Sequence, residues 1–514
     1  MNRENPAASP SPSAVAQTSQ PAPAGYHPLA LDSRATGLWG WVDRTSDRVS
    51  RWLNPILIKE ARQALKSRQF TITFFLLLFA SWGWTIMGAT LQSPDIYHVP
   101  SGTFMLAGYY FVLAVPMLAM VPLAAHRSLA SEIDDGTFEM LSITRLSALG
   151  IVMGKLNSAV LQMMVYFAAL VPCLAFSYLL RGVAFPTIIL LIGTIFYAAM
   201  LLTTFSLLFA TLTANRAGQI FALLAVVAVV IFAEFLCGTF CMVAVLGEQL
   251  TMDSEGLSVT AIFLIGGISF MVLFVKAAAA KIAPITENRS TGLRWIMFAQ
   301  QLIWVGSLAT VALWYDDTDP LNFASMIVTG YWLLMGTIML SESPYLSPRV
   351  QRDLPRTFFG RMMLTWFNPG PGTGFMFAIS TGTVGIAILA FVGLFIRDAS
   401  PTTFPLSFAA MSSGYLMFFL GITRLLSMPM MHRFGRTMAF PIATLAIVMM
   451  LAVMVPSIVT VVVTGRLAPS YQITEATNWF WTLIHAFDRG PGLSPEVSLL
   501  IFLMGSSVFF VNLI

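Results

Sequence analysis

Residues 70–91 read FTITFFLLLFASWGWTIMGATL, a run with no Lys, Arg, Asp or Glu. Roughly 20 apolar residues carry an α-helix across a hydrocarbon core, whereas a barrel strand needs about half as many and alternates them with polar positions. The unbroken run therefore predicts a membrane-spanning helix, because in lipid the backbone must pair its own N–H and C=O groups within the segment. Eleven further runs of this kind follow, at 104–125, 159–180, 187–212, 220–246, 257–275, 295–314, 323–340, 375–396, 404–423, 438–463 and 497–514. The expected fold is an all-α integral membrane protein of about twelve transmembrane helices, six in 70–284 and six in a second half, 285–514.

Composition agrees with lipid as the solvent. Hydrophobic residues make up 57% of the chain and charged residues 10%, against roughly 45–50% and 25% in soluble domains, so a water-soluble fold lacks the charge to cover its surface. The charges also orient the bundle. With a cytoplasmic amino terminus, all but Arg181, Arg397, Arg466 and Arg489 of the 28 Lys and Arg residues fall in the tail or the inner loops. That is the asymmetry of the positive-inside rule. The net charge of +4 then reflects basic loops facing anionic lipid, and nucleic acid is not implied. The three cysteines, Cys173, Cys237 and Cys241, sit inside apolar runs and suit neither disulfides nor zinc. The five histidines, His27, His98, His126, His432 and His485, show no metal-ligand spacing, and no metal site is expected. Residues 1–38 begin with a Pro-, Ser- and Ala-rich stretch that has no signal-peptide core, and they read as a disordered cytoplasmic tail. The last run stops at Ile514 without a charged flank.

Two polar segments stand out. The first precedes the first run, within 39–69. Asn54 is placed to cap a helix and Pro55 to occupy its first turn. At 100° per residue Leu57, Ile58, Ala61, Ala64 and Leu65 share one face, and Lys59, Arg62 and Lys66 an adjoining one. This is an interfacial amphipathic helix, with Trp39, Trp41 and Trp52 upstream as interface anchors. It serves either as an anchor or as a contact for an acidic partner. The second segment, 126–156, includes SEIDDGTFEMLSITRLSALGIVMGKL at 131–156. Gly136 suits the end of a helix and Thr137 the start of another. Phe138 and Leu141 then share a face ringed by Glu132, Asp134, Asp135 and Glu139. Either a docking lever or a solvated loop fits that pattern.

The order Glu132, Gly136-Thr137, Glu139, Met140-Leu141, Leu146-Ser147, Gly154-Lys155 resembles the cytoplasmic coupling region of type-2 permeases of ATP-binding-cassette transporters. It departs at Arg145, where the family places proline after the threonine, so the turn is less rigid here. The resemblance covers residues 54–284. It implies a six-span permease core, an exporter in the plasma membrane and a connecting helix in which Lys59, Glu60 and Arg62 meet an ATPase subunit. It assigns coupling to Glu132, Gly136, Thr137, Phe138, Glu139, Leu141, Gly154 and Lys155. Two ATPase copies are implied, with ATP and magnesium bound there and none on this chain, and either a second permease chain or a pseudo-dimer of the two halves. The chain itself is not expected to be an enzyme. Three residues separate Gly150 from Gly154 before Lys155 where a phosphate loop needs four, and Leu156 replaces the Ser or Thr that would hold magnesium.

Glu234 is the one well-placed ionisable group inside a run, where a charge costs several kcal/mol. It reads either as a pathway residue, with Gly238 breaking the helix nearby, or as a structural carboxylate. A secondary transporter remains the alternative function, and a membrane-embedded enzyme a more distant one. In the second half, 341–374 is the counterpart of the coupling segment, but it is basic and proline-rich; a degenerate coupling arm, an ATPase docking site and a plain linker all fit. The aromatics Tyr471, Trp479, Phe480, Trp481 and Phe487 read as an interfacial belt. Cysteines introduced at Thr144 and Thr318 test the topology: a membrane-impermeant maleimide applied to intact cells is expected to label the second, and the first only after permeabilisation.

Overall fold

The computed structural model describes residues 55–94, 96, 98–134, 147–212, 216–246, 254–284, 287–346, 348–352, 357–396, 404–465, 471, 473–489 and 495–513. The expected tail, Trp39, Trp41 and Trp52, and the loop tip with Gly136, Thr137, Phe138, Glu139 and Leu141 lie outside these residues. Among them all regular structure is helical. In chain order the helices are α1 (Pro55–Leu65), α2 (Arg68–Leu91), α3 (Gly102–Asp134), α4 (Ala148–Leu179), α5 (Phe185–Ala210), α6 (Arg216–Leu246), α7 (Ser254–Ile282), α8 (Thr291–Tyr315) and α9 (Asp319–Leu340). They continue with the short α10 (Pro348–Arg352) and α11 (Phe358–Leu364), then α12 (Pro371–Gly393), α13 (Phe404–Phe434), α14 (Ala439–Thr464), α15 (Trp479–Arg489) and α16 (Pro495–Val511).

Eleven of these are long and apolar enough to cross a membrane, which makes the chain a multi-pass membrane protein. The twelfth expected span, 497–514, departs from that length: α16 has 17 residues, about 26 Å at 1.5 Å per residue, against a hydrocarbon thickness of roughly 30 Å. A second difference concerns α6, which runs unbroken through Gly238. Glycine permits a break without demanding one, and the apolar residues around it favour continued backbone pairing. Helix α3 does contain an irregularity, a π-helical turn at Val115–Met120 with Pro116 near its start. Proline lacks the N–H that the α-helical ladder would use there.

Each half has its own core. In the first, Tyr109, Leu113 and Met117 of α3 pack with Met163 and Tyr166 of α4, Ile195 of α5 and Val226 of α6. In the second, Trp332 of α9, Phe375 and Ile386 of α12, and Leu416 and Leu420 of α13 form the centre. The halves meet along α7. Its Leu273 joins the second core, while Val275, Ala278 and Ala279 join a small inner cluster of the first with Leu129 and Val152. Phe270 of α7 also stands edge-on to Tyr331 of α9 at 6.3 Å.

The short α16 is held by backbone proximity. A Cβ on Gly414 of α13 would lie 2.7 Å from the Ile501 carbonyl oxygen, and one on Gly505 of α16 would collide with the Gly414 carbonyl. Between helices in lipid no hydrophobic force drives association, so close packing of small residues does the work. Gly505→Leu is expected to separate α16 from α13. A lower unfolding temperature in detergent, with wild-type behaviour for Ser507→Leu on an exposed position of the same helix, is the measurement that checks it.

Candidate functional site

A lysine side chain loses its hydration when it is buried, and the loss is tolerable only if carboxylates and hydrogen-bond acceptors replace water. Lys155, in the second turn of α4, is such a residue, with its side chain 2% exposed. Its Nζ lies 3.3 Å from Glu60 Oε2 and 3.0 Å from Glu132 Oε1, and it donates to Ser128 Oγ at 2.8 Å. Three helices supply the cluster. Ser128 and Glu132 are four residues apart on α3 and so share a face, Glu60 comes from α1, and Lys155 from α4. Ser147 Oγ caps α4 by accepting from the Gly150 N–H at 3.1 Å, which fixes where the lysine leaves the helix.

The joint ties the amphipathic α1 to both arms that flank residues 135–146. Ser67 Oγ accepts from the Phe70 N–H at 3.1 Å, starting α2 just after α1 ends. At the end of α3, Asp134 accepts a short hydrogen bond from Gln219 of α6. Beside the joint opens a cavity of about 360 Å³. It follows one face of α4 through Lys155, Ser158, Gln162 and Tyr166, roughly 16 Å along the axis at 1.5 Å per residue. Arg127, Ser131 and Gln63 also line it. Phe70 and Tyr166 stack with centroids 5.2 Å apart at its deep end.

Of the residues nominated from sequence, Glu60, Glu132 and Lys155 come together, and Gly154 is buried next to them. Glu60 and Lys155, nominated for contact with a partner subunit, bind each other and turn away from solvent. Lys59 and Arg62 remain on the exposed side of α1. Glu234 is half-buried on α6 and takes no part in the joint, one turn from Cys237, whose carbonyl accepts from Tyr110 at 3.1 Å. Among the described residues no cluster of His, Cys, Asp or Glu suits a metal ion.

The sequence reading missed Ser128, although its four-residue spacing from Glu132 was a usable signal. It also missed a second buried cation. Arg294, at the start of α8, has its side chain 1% exposed. It donates to Glu342 Oε2 at 2.6 Å, the Trp366 carbonyl at 2.6 Å, Thr373 Oγ1 at 3.2 Å and the Gly370 carbonyl at 3.2 Å, and to the Asn368 carbonyl. Glu342 Oε2 also accepts from the Gly370 N–H at 2.7 Å. The planar guanidinium offers five donors, enough to gather a whole loop where an ammonium would not. The 341–374 segment is thus pinned at its base. The outer aromatics differ from a plain belt as well: Tyr471 bonds Thr482 at 2.9 Å and stacks on His485, and Trp479 donates to the Met449 carbonyl at 3.4 Å.

Removing one member of a buried ion cluster leaves the others uncompensated, at about 3–5 kcal/mol. Lys155→Met is therefore expected to lower stability strongly. Adding Glu60→Gln and Glu132→Gln to it should restore most of the loss, and additive losses in thermal unfolding would contradict the joint.

No family model, curated protein or solved structure matches the chain.

Proposed function

We propose that this chain is the transmembrane permease subunit of a type-2 ATP-binding-cassette transporter in the plasma membrane, an exporter whose ATPase subunits are separate polypeptides. The observation that carries the reading is the Lys155 joint, which links Glu60 of the interfacial helix to Glu132 at the root of the acidic 135–146 segment. A soluble motor that binds ATP and magnesium pushes on Gly136, Thr137, Phe138, Glu139 and Leu141, and on Lys59 and Arg62. Displacement of either contact is shared, because both ends are held by one buried cation.

The push needs a stiff path into the bilayer. Helix α4 is 32 residues long, about 48 Å, and reaches from Lys155 into the first-half core at Met163 and Tyr166. Motion entering at Lys155 therefore arrives beside the cavity and the π-turn of α3, where backbone pairing is irregular and a change of shape is cheap. Two such cores, from a second chain or from the two halves acting as a pseudo-dimer, enclose the path.

The test is purification from native membranes in mild detergent. An ATPase chain is expected to accompany the protein, and replacing residues 135–146 by a Gly-Ser linker is expected to abolish that association and ATP-dependent transport. Transport that persists in the linker variant, or that collapses with an ion gradient while ATP is abundant, overturns the reading in favour of an ion-coupled carrier.

A further inference from the structure

The cavity beside Lys155 holds polar side chains that the rest of the protein leaves without partners. Ser158 is 4% exposed, yet its hydroxyl lines the cavity and has no hydrogen-bond partner among the described residues. Gln162, one turn further along α4, lines the same cavity with its amide likewise unpaired, and so does Gln69 at the start of α2. A buried hydroxyl or amide is costly unless something bonds it. In a membrane-spanning helix the surrounding lipid cannot do so.

The walls restrict what supplies those bonds. The charged side chains of the cavity are Glu60, Arg127 and Lys155. The three N–H groups of Lys155 are taken by Glu60, Glu132 and Ser128, and Arg127 is exposed and adjacent to Ser128, at the level of Lys155. Gln162 lies roughly 10 Å beyond Lys155 along the axis of α4, so an ion at its level meets no opposite charge. A wholly apolar ligand would strand the hydroxyl and the amides. The remaining walls are nevertheless apolar: Met120 and Ala124 of α3, Ala159 of α4, and the stacked rings of Phe70 and Tyr166. Water matches the polar edge and gains nothing from that aromatic wall. A sugar ring or glycerol unit matches both, because each hydroxyl donates and accepts while its C–H groups lie against the rings.

We propose that the cavity between α1, α2, α3 and α4 is a binding site for an uncharged polyhydroxyl group, a sugar or glycerol unit, held by Ser158, Gln162 and Gln69 against the Phe70–Tyr166 wall. Its volume of about 360 Å³ lies at the lower end of the roughly 300–1,000 Å³ usual for small-molecule sites. That is room for a head group and not for the acyl chains of a two-tailed lipid, which would stay in the bilayer. The same chemistry is carried by a glycolipid and by a free sugar. Binding needs no ATPase, so the site stands apart from the function proposed above.

The full-length chain, purified in a detergent that carries no sugar, is mixed with equal amounts of monoglucosyl diacylglycerol, phosphatidylcholine and phosphatidylglycerol of the same acyl chains, and retained lipid is read by native mass spectrometry. Preferential retention of the glucosyl lipid is expected. Gln162→Leu should lower that retention about tenfold, the worth of roughly one hydrogen bond to the ligand. It should do so without lowering the unfolding temperature, because leucine removes an unpaired amide from the span. Ser158→Ala is the second variant, with a loss in the same direction. Methyl glucoside added alone separates the two sources: thermal stabilisation that Gln162→Leu abolishes assigns the site to a free sugar, and stabilisation by the glucosyl lipid alone assigns it to a membrane-borne one. Equal retention of the three lipids with no response to methyl glucoside overturns the proposal, leaving a cavity that holds water. A preference for phosphatidylglycerol, or a glucosyl preference unchanged in both variants, overturns it as well.

Discussion

A hydrocarbon solvent returns no hydrogen bond to a polar group, and the architecture of this protein is organised around that constraint. The backbone answers it with helices throughout the described residues. Side chains answer it by meeting one another: threonines and serines within the spans donate to carbonyls one turn back, as Thr203 does to Ala199 at 2.6 Å and Thr337 to Leu333 at 2.6 Å. Most charges lie near helix ends, and Lys155 and Arg294 are buried there with several partners each. Among the described residues Lys155 and Arg294 are the two basic side chains whose burial is nearly complete.

The halves use their buried cations differently. Lys155 joins three separate helices and lies beside a cavity of mixed lining, so a shift of any one helix is felt by the others while water-sized space is available to absorb it. Arg294 gathers one loop onto the end of one helix, and the second half is further fixed by Gln301, which accepts from the Trp332 ring N–H and donates to the Thr381 carbonyl at 2.6 Å. Tyr331 donates to Gln300 at 3.0 Å in the same layer. Buried networks of this kind specify a single packing. The first half thus combines a junction with free volume, and the second combines a clamp with a cross-linked interior. That contrast suits a moving part set against a supporting part, with α7 as their shared wall.

Sequence periodicity located the helices well because the signal is physical and local: an apolar run of sufficient length has one stable form in lipid. It located α1 for the same reason, through the capping residues and the two-faced pattern from Pro55 to Leu65. It says less where neighbours decide. Helix α16 lies in an expected apolar run, is 17 residues long, and packs on α13 where Gly414 and Gly505 meet. Gly238 reads as a break and is none. Of the partners of Lys155, Glu60 and Glu132 were nominated, as contacts for another protein, and Ser128 was not.

What the chain fixes by itself is its solvent, its helical content, the asymmetry of its charges and the position of the acidic segment between the second and third spans. Each follows from the composition of consecutive residues. Tertiary structure alone decided that Glu60 and Glu132, 72 residues apart, converge on Lys155, and that Glu342 and the 366–370 backbone converge on Arg294. The reason is that a buried charge is stabilised by whatever surrounds it in space, and no local pattern records which distant carboxylate will arrive.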